Sequence, residues 1–244
     1  MIDWHSHILP GLDDGAADME HSVAMAVLLA AAGFTEVYCT PHLMRGCYET
    51  GNDQVRQAVV ELQDRLELMG ITLSLRPGRE YCLDEYLSAY LEDPLPLGDS
   101  RQVLIEIPPR ITADMVRQLL YGVVRSGFTP VIAHPERCRL LEPTARPAAG
   151  NGLLGTFKSL IAGGDRGSRN SDQSDTTGNP LLDYLRDLGC SFQGNLGSFS
   201  GFYGRQVKVV AEALRNRGVY DRYGSDLHAP EQAGRVLQPP LPRC

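Results

Sequence analysis

Short apolar runs alternate with longer amphipathic stretches along this chain, and that alternation is what most narrows its possible folds. The runs that suit buried strands are "IDWH", "EVYCT", "TLSLRPG", "QVLIEI", "TPVIAH", "CSFQGN" and "VYDRYGSD". Between them lie "DMEHSVAMAVLLAAAG", "NDQVRQAVVELQDRLELMG", "TADMVRQLLYGVVRSG" and "YGRQVKVVAEALRNRG", which suit helices and close on Gly, the expected stop just past a helix. Repeated strand–helix units imply a parallel sheet, open or closed into a barrel. About seven such units in 244 residues point to one α/β domain, barrel-like in form, spanning residues 1–244. The exception is residues 145–180, whose second half is rich in Gly, Ser, Asp and Asn; it reads as a flexible insertion at about 150–178 within that domain.

The strand ends carry the chemistry. His5 and His7 alternate along an extended segment and so point the same way. Asp13 and Asp14 follow after a Pro10-Gly11 turn, "EVYCTPH" delivers His42, "SLRPGRE" delivers Glu80 and "VLIEI" carries Glu106. "PVIAH" ends in His134, and "YGSDLH" ends in Asp226 and His228. In parallel α/β folds the C-terminal strand ends share one face, where sites are built. One such His is more often structural; eight groups in corresponding places point to a metal site. Five imidazoles and four carboxylates (counting Asp14) exceed what one tetrahedral ion needs, so two or three ions are implied. Imidazole with carboxylate and no thiolate suits Mn, Fe or Zn.

Charge then narrows the substrate. Three divalent ions outweigh the four carboxylates and leave a positive well on a chain whose net charge is -7, which suits an anion such as phosphate. The same acidic balance excludes a general nucleic-acid binder. No run of 18 apolar residues occurs, and "MIDWHSH" lacks the basic start and apolar middle of a signal peptide, so a cytoplasmic protein without membrane insertion is expected. The six cysteines form no CxxC pair and read as reduced thiols.

Taken together, the N-terminal HxH, "TPH", "GRE", "LIE", "AHPER" and "SDLH" resemble the PHP (polymerase and histidinol phosphatase) superfamily. Within it, "MIDWHSHILPGLDDG", "TPHLMRGCYET" and "VIAHPER" are most similar to the bacterial metal-dependent tyrosine phosphatases of the CpsB/YwqE type, over residues 1 to about 142 and again from about 180 to 228. The resemblance implies a distorted (β/α)7 barrel with a trinuclear centre of divalent ions, Mn foremost, with Fe and Zn as alternatives. It implies His5, His7, Glu80 and Asp226 at one ion, Glu80 bridging to a second held with Glu106 and His134, and Asp14, His42 and His228 at the third. Asp14 is preferred to Asp13 because the family's ligand is the second aspartate. Arg137 would clamp phosphate oxygens with its planar fork. Arg235 stands where a second phosphate-binding Arg is expected, though its spacing from His228 differs. The implied reaction is hydrolysis of phosphotyrosine by attack of a metal-bound hydroxide. The implied partner is the phosphotyrosine tail of a bacterial tyrosine kinase controlling capsule and exopolysaccharide assembly.

Three other readings compete. A histidinol-phosphate phosphatase would share nearly every ligand but matches less well in "LPGLDDG" and "MRGCYET". A non-catalytic metal-bound PHP module is the second; against it, no expected ligand is missing. The third is a cysteine phosphatase, because "CTPHLMR" satisfies C-x5-R with Cys39 and Arg45. That loop needs backbone N–H groups aimed at phosphate, yet Pro41 has none and no Gly lies between Cys39 and Arg45. The departures from the family are the 150–178 insertion and the short segment after "SDLH", whose missing helix is expected to uncover apolar surface.

Overall fold

The computed structural model describes residues 1–143 and 178–238. The expected insertion at about 150–178 therefore lies outside the described residues, apart from Gly178. Nine strand segments appear: β1 (Ile2–Ser6), β2 (Glu36–Cys39), β3 (His42–Leu43), β4 (Ser74–Pro77), β5 (Glu80–Cys82), β6 (Gln102–Glu106), β7 (Thr129–Ala133), β8 (Ser191–Asn195) and β9 (Arg222–Gly224). Every ladder is parallel, in two sheets ordered β1-β2-β4 and β3-β5-β6-β7-β8-β9.

Each of the seven expected runs becomes a strand, and the sequence reading missed only β3 and β5. These two continue β2 and β4 after short breaks. Cys39 pairs with Pro77 and His42 with Glu80, so one register runs through both ladders. Pro41, which has no N–H, interrupts the first strand, and Gly78-Arg79 interrupts the second. At the opposite edge, the Asp226 N–H donates to the His5 carbonyl at 2.7 Å and the His7 N–H to the Leu227 carbonyl at 3.0 Å. These bonds carry the chain beyond β9 alongside β1.

Four helices follow the expected stretches: α1 (Met19–Ala31), α2 (Asn52–Leu68), α4 (Ala113–Arg125) and α7 (Arg205–Asn216). The shorter α3 (Leu87–Tyr90), α5 (Pro180–Asp187), α6 (Leu196–Ser200) and α8 (Ala233–Val236) complete the set. Start signals are side-chain caps: Asp18 accepts from the His21 N–H, Thr112 from Met115, and Asn179 from Leu181 and Leu182. Gly33, Gly70, Gly127 and Gly218 close the four long helices at positive φ. On α2 the residues Val55, Ala58, Val59, Leu62 and Leu66 recur on one face and are buried, each large one contributing about 1.5–3 kcal/mol of transfer free energy.

Two large apolar clusters flank the sheets, and a smaller third one gathers Leu97, Leu104, Val131 and Ala133. Of the large two, one joins α1 and α2 to β2 and β4; the other joins α4, α5 and α7 to β6, β7 and β8. The buried polar residues gather elsewhere, at the strand ends. Among the described residues, no helix is long and apolar enough to cross a membrane.

Candidate metal centre

Parallel strands bring their C-terminal ends to one face, and the polar residues placed there converge. His5 and His7 lie on and just beyond β1, His42 opens β3, Glu80 opens β5, Glu106 closes β6, and His134 follows β7. Asp226 and His228 follow β9. His134 and Asp226 hold φ of 30° and 51°, the two non-glycine residues at positive φ among those described. Backbone strain of about 1–3 kcal/mol at each persists because the surrounding bonds determine it.

The ligand atoms crowd together. His5 Nε2 lies 3.0 Å from His7 Nε2, 3.1 Å from Glu80 Oε2 and 3.4 Å from Asp226 Oδ1. His7 Nε2 lies 3.2 Å from Glu80 Oε2 and 3.3 Å from Asp226 Oδ1. Four ligands around an ion at ordinary Zn–N and Zn–O bond lengths stand about 3.4 Å apart along tetrahedral edges. The residues present therefore fit an ion. Two further groups share members with this one: His7, Asp14, His42 and His228; and His42, Glu80 and Glu106.

The outer ring nitrogens decide how the imidazoles face inward. His5 Nδ1 meets Gln193 Oε1 at 2.8 Å, His7 Nδ1 meets Asp13 Oδ2 at 2.7 Å, and His228 Nδ1 meets the Asp226 carbonyl at 2.9 Å. The Gln193 amide donates its own N–H to the Gly194 carbonyl, which fixes Oε1 toward His5. Each ring thus carries a proton outward on Nδ1 and turns Nε2 inward, as metal ligation requires once any proton on Nε2 has left.

Electrostatics follow from the crowding. Burial would lower His5, but the Glu80 and Asp226 carboxylates lift it to about 9. His7 is likewise opposed by burial and lifted by Asp13. Glu80 and Asp226 stay well below the usual carboxylate range despite burial, because imidazoles surround them. Glu106 is pushed up to about 7 by burial and by the charge of Glu80. Burial and the neighbouring Arg137 pull His134 down to about 4, so it is neutral at physiological pH.

Supporting bonds hold the frame. Buried Asp3 accepts from the Ser225 N–H (2.7 Å), the Ser225 hydroxyl (2.6 Å) and the His5 N–H (3.2 Å), tying β1 to the strand end that carries Asp226. Arg79 donates to the His42 and Thr50 carbonyls and to Asn52 Oδ1, fixing the loop behind His42.

Comparison with known proteins agrees with this geometry. The family model for capsular polysaccharide synthesis, CpsB/CapC, matches residues 1–149. The chain belongs to the CpsB/CapC family. It is 31% identical over 230 residues to tyrosine-protein phosphatase YwqE of Bacillus subtilis strain 168, covering 93% of this chain and 77% of YwqE. It is 31% identical over 144 residues to tyrosine-protein phosphatase CpsB of Streptococcus pneumoniae, covering 58% of this chain and 59% of that protein. A crystal structure described for YwqE and CpsB, "unique metal-dependent tyrosine phosphatases", matches the whole chain at 28% identity with a TM-score of 0.75.

All nine residues expected from the sequence thus meet at one face of this CpsB/CapC fold. Of the two aspartates, Asp14 joins the cluster, with Oδ1 3.6 Å from both His42 Nε2 and His228 Nε2, while buried Asp13 supports His7. His134 meets Glu80 Oε1 at 3.1 Å, and His42, which gathers with Asp14 and His228, also gathers with Glu80 and Glu106.

Arg137 lies within the cluster, its Nη1 2.7 Å from Asp226 Oδ2. Arg235 is exposed on α8 with its guanidinium 4.7 Å from the Phe202 ring; among the described residues no hydrogen bond or ion pair joins it to the nine. Sequence reasoning missed Gln193 and Asn195, two amides at alternate positions of a mostly buried strand. It also missed Tyr203, which stands in a loop without a local signal. The C-x5-R loop makes no cradle. Cys39 is fully buried with its thiol pushed far up by burial, and Arg45 packs over Tyr86.

Proposed function

We propose that this chain is a metal-dependent protein-tyrosine phosphatase of capsule and exopolysaccharide synthesis, acting on the phosphotyrosine tail of a bacterial tyrosine kinase. The observation that carries this reading is the inward set of Nε2 atoms on His5, His7 and His228, each with Nδ1 tied to an acceptor, around Glu80 and Asp226. The names of YwqE and CpsB supply the substrate class.

The ligand assignment is His5, His7, Glu80 and Asp226 at one ion, Glu80 and Glu106 with His42 or His134 at a second, and Asp14, His42 and His228 at a third. Mn is the first choice of metal, with Fe or Zn as alternatives. When bound, such ions lower the pKa of water toward neutrality and neutralise phosphoryl oxygens. The chain's own residues do the rest. Neutral His134 keeps a lone pair available. Arg137 is held by Asp226 through Nη1, and its remaining N–H donors are assigned to phosphoryl oxygens. Arg235 is kept as a second phosphate contact only if substrate draws α8 inward.

The fold reading is a distorted (β/α)7 barrel in one domain. It is supported by the continuous register of β2–β3 against β4–β5, which counts as two strands, and by the backbone bonds from the Asp226 region to β1. A cytoplasmic location is supported by the unpaired cysteines Cys39, Cys82 and Cys190.

The test compares Mn-loaded protein on a phosphotyrosine peptide and on histidinol phosphate, with Glu106→Ala and His134→Ala beside it. The peptide is expected to be the better substrate, and both variants should stay folded while losing more than about 100-fold, roughly 3 kcal/mol of transition-state stabilisation. Preference for histidinol phosphate, or no turnover of either ester, would overturn the assignment.

A further inference from the structure

Asp226 has two oxygens in different surroundings. Oδ1 faces His5, His7 and His228 at 3.4, 3.3 and 3.6 Å. Oδ2 faces the other way and receives Arg137 Nη1 at 2.7 Å, Asn195 Nδ2 at 2.6 Å and the Tyr203 hydroxyl at 3.2 Å. Three donors saturate one carboxylate oxygen, so the group cannot rotate without breaking all of them.

Both missed residues are themselves fixed. Asn195 Oδ1 accepts from the Gly197 N–H at 2.9 Å as the cap of α6, which turns Nδ2 toward Asp226; its own N–H donates to buried Glu136 at 2.8 Å. The Tyr203 ring lies under Arg137, whose guanidinium carbon is 4.6 Å from the centroid. Gly197 makes room for that ring, since a Cβ there would stand 2.9 Å from Tyr203 Cε2.

We infer that Asn195 and Tyr203 are positioning residues: they lock Asp226 so that Oδ1 is aimed at the ion site, and they seat Arg137 on the same carboxylate. One carboxylate thereby sets both the metal ligand geometry and the place of the phosphate-binding arginine. The strained Asp226 backbone is consistent with a side chain that must be anchored from outside. This inference rests on the phosphatase reading above, and loss of such a supporting partner characteristically weakens metal binding or activity by 10–100-fold.

The test titrates the full chain with Mn2+ alone by calorimetry, comparing wild type with Tyr203→Phe and Asn195→Ala, each checked by thermal melting. Tyr203→Phe keeps the ring and removes only the hydroxyl; its Mn2+ affinity is expected to fall about tenfold with unchanged melting temperature, a combination that a merely structural role would not produce. Tyr203→Leu also removes the surface under Arg137, so at saturating Mn2+ it should further raise the KM for a phosphotyrosine peptide more than it lowers kcat. Wild-type Mn2+ affinity in Tyr203→Phe and Asn195→Ala would overturn the inference while leaving the phosphatase reading intact. Should Asn195→Ala unfold through loss of the α6 cap, Tyr203→Phe decides alone. No Mn2+ uptake by the wild type would overturn both.

Discussion

Replacing Gly224 by Ala should disable the centre out of proportion to its effect on stability. Gly224 ends β9 opposite Asn195, and a Cβ built there stands 2.5 Å from His5 Cβ, 2.8 Å from His5 N and 3.0 Å from Gln193 Nε2. Carbon atoms pack at about 3.5–4.0 Å, so relief needs a shift of about 1 Å in His5 or β9. Neither the His5 backbone nor its ring can move freely, because Nδ1 is bonded to Gln193 and Nε2 sits 3.0 Å from His7. Overpacking of this kind costs about 1–3 kcal/mol, which for a chain of this size lowers Tm by about 2–12 °C. The displaced imidazole costs more, since a misplacement of about 1 Å can lower activity about 100-fold.

The assay measures kcat/KM on a phosphotyrosine peptide and Mn2+ affinity below the melting transition. Gly122→Ala serves as control: it lies in the exposed interior of α4 with nothing within 4 Å of its Cβ, so it should raise stability by about 0.5–1 kcal/mol and leave hydrolysis unchanged. Wild-type activity and Mn2+ affinity in Gly224→Ala would refute the reasoning.

Chelation and thiol alkylation should separate cleanly. Burial pushes the Cys82 and Cys190 thiols up to about 12, and Cys39, the C-x5-R cysteine, is fully buried, so iodoacetamide near neutral pH should modify exposed Cys47, leave Cys39 unreacted and spare activity that a chelator removes. Loss of activity on alkylation with full resistance to chelator would reverse the assignment. Mn2+ affinity should strengthen as pH rises through about 7, because burial and Glu80 push Glu106 up to that value in the metal-free chain and the proton must leave for the ligand to bind. His5, lifted to about 9 by Glu80 and Asp226 against burial, should also release a proton on loading. Calorimetry in buffers of different ionisation enthalpy measures that release, and none would contradict the role of these two residues. Arg137→Ala should raise KM for the peptide by about 10-fold or more, but it also uncovers Asp226 Oδ2; Arg137→Lys should rescue only part of this because it lacks the planar fork.

All the ligands but Asp14 were legible because they end or closely follow an apolar run, and parallel topology carries all such ends to one face. His5 and His7 could be placed from strand alternation alone. The side chains behind them were not legible. Gln193 and Asn195 are neutral amides inside a strand, and nothing local says that one fixes the tautomer of His5 and the other a carboxylate 31 residues away. The split of two strands into β2–β3 and β4–β5 depends on a missing N–H at Pro41 and a break at Gly78, and segments of two or three residues leave no periodic trace. His42 reaches two groups at once, with Nδ1 3.1 Å from Glu80 and Nε2 3.6 Å from Asp14, and nothing in its place along the chain says which ion it serves. The strands bearing these side chains could be read from the chain, but not their relative reach.

The central claim is that these nine side chains hold divalent cations. A crystal of the full chain soaked in Mn2+, with anomalous density measured, tests it most directly. The account predicts two or three peaks, one of them among His5, His7, Glu80 and Asp226. Peaks confined to other parts of the surface, or none, would contradict it.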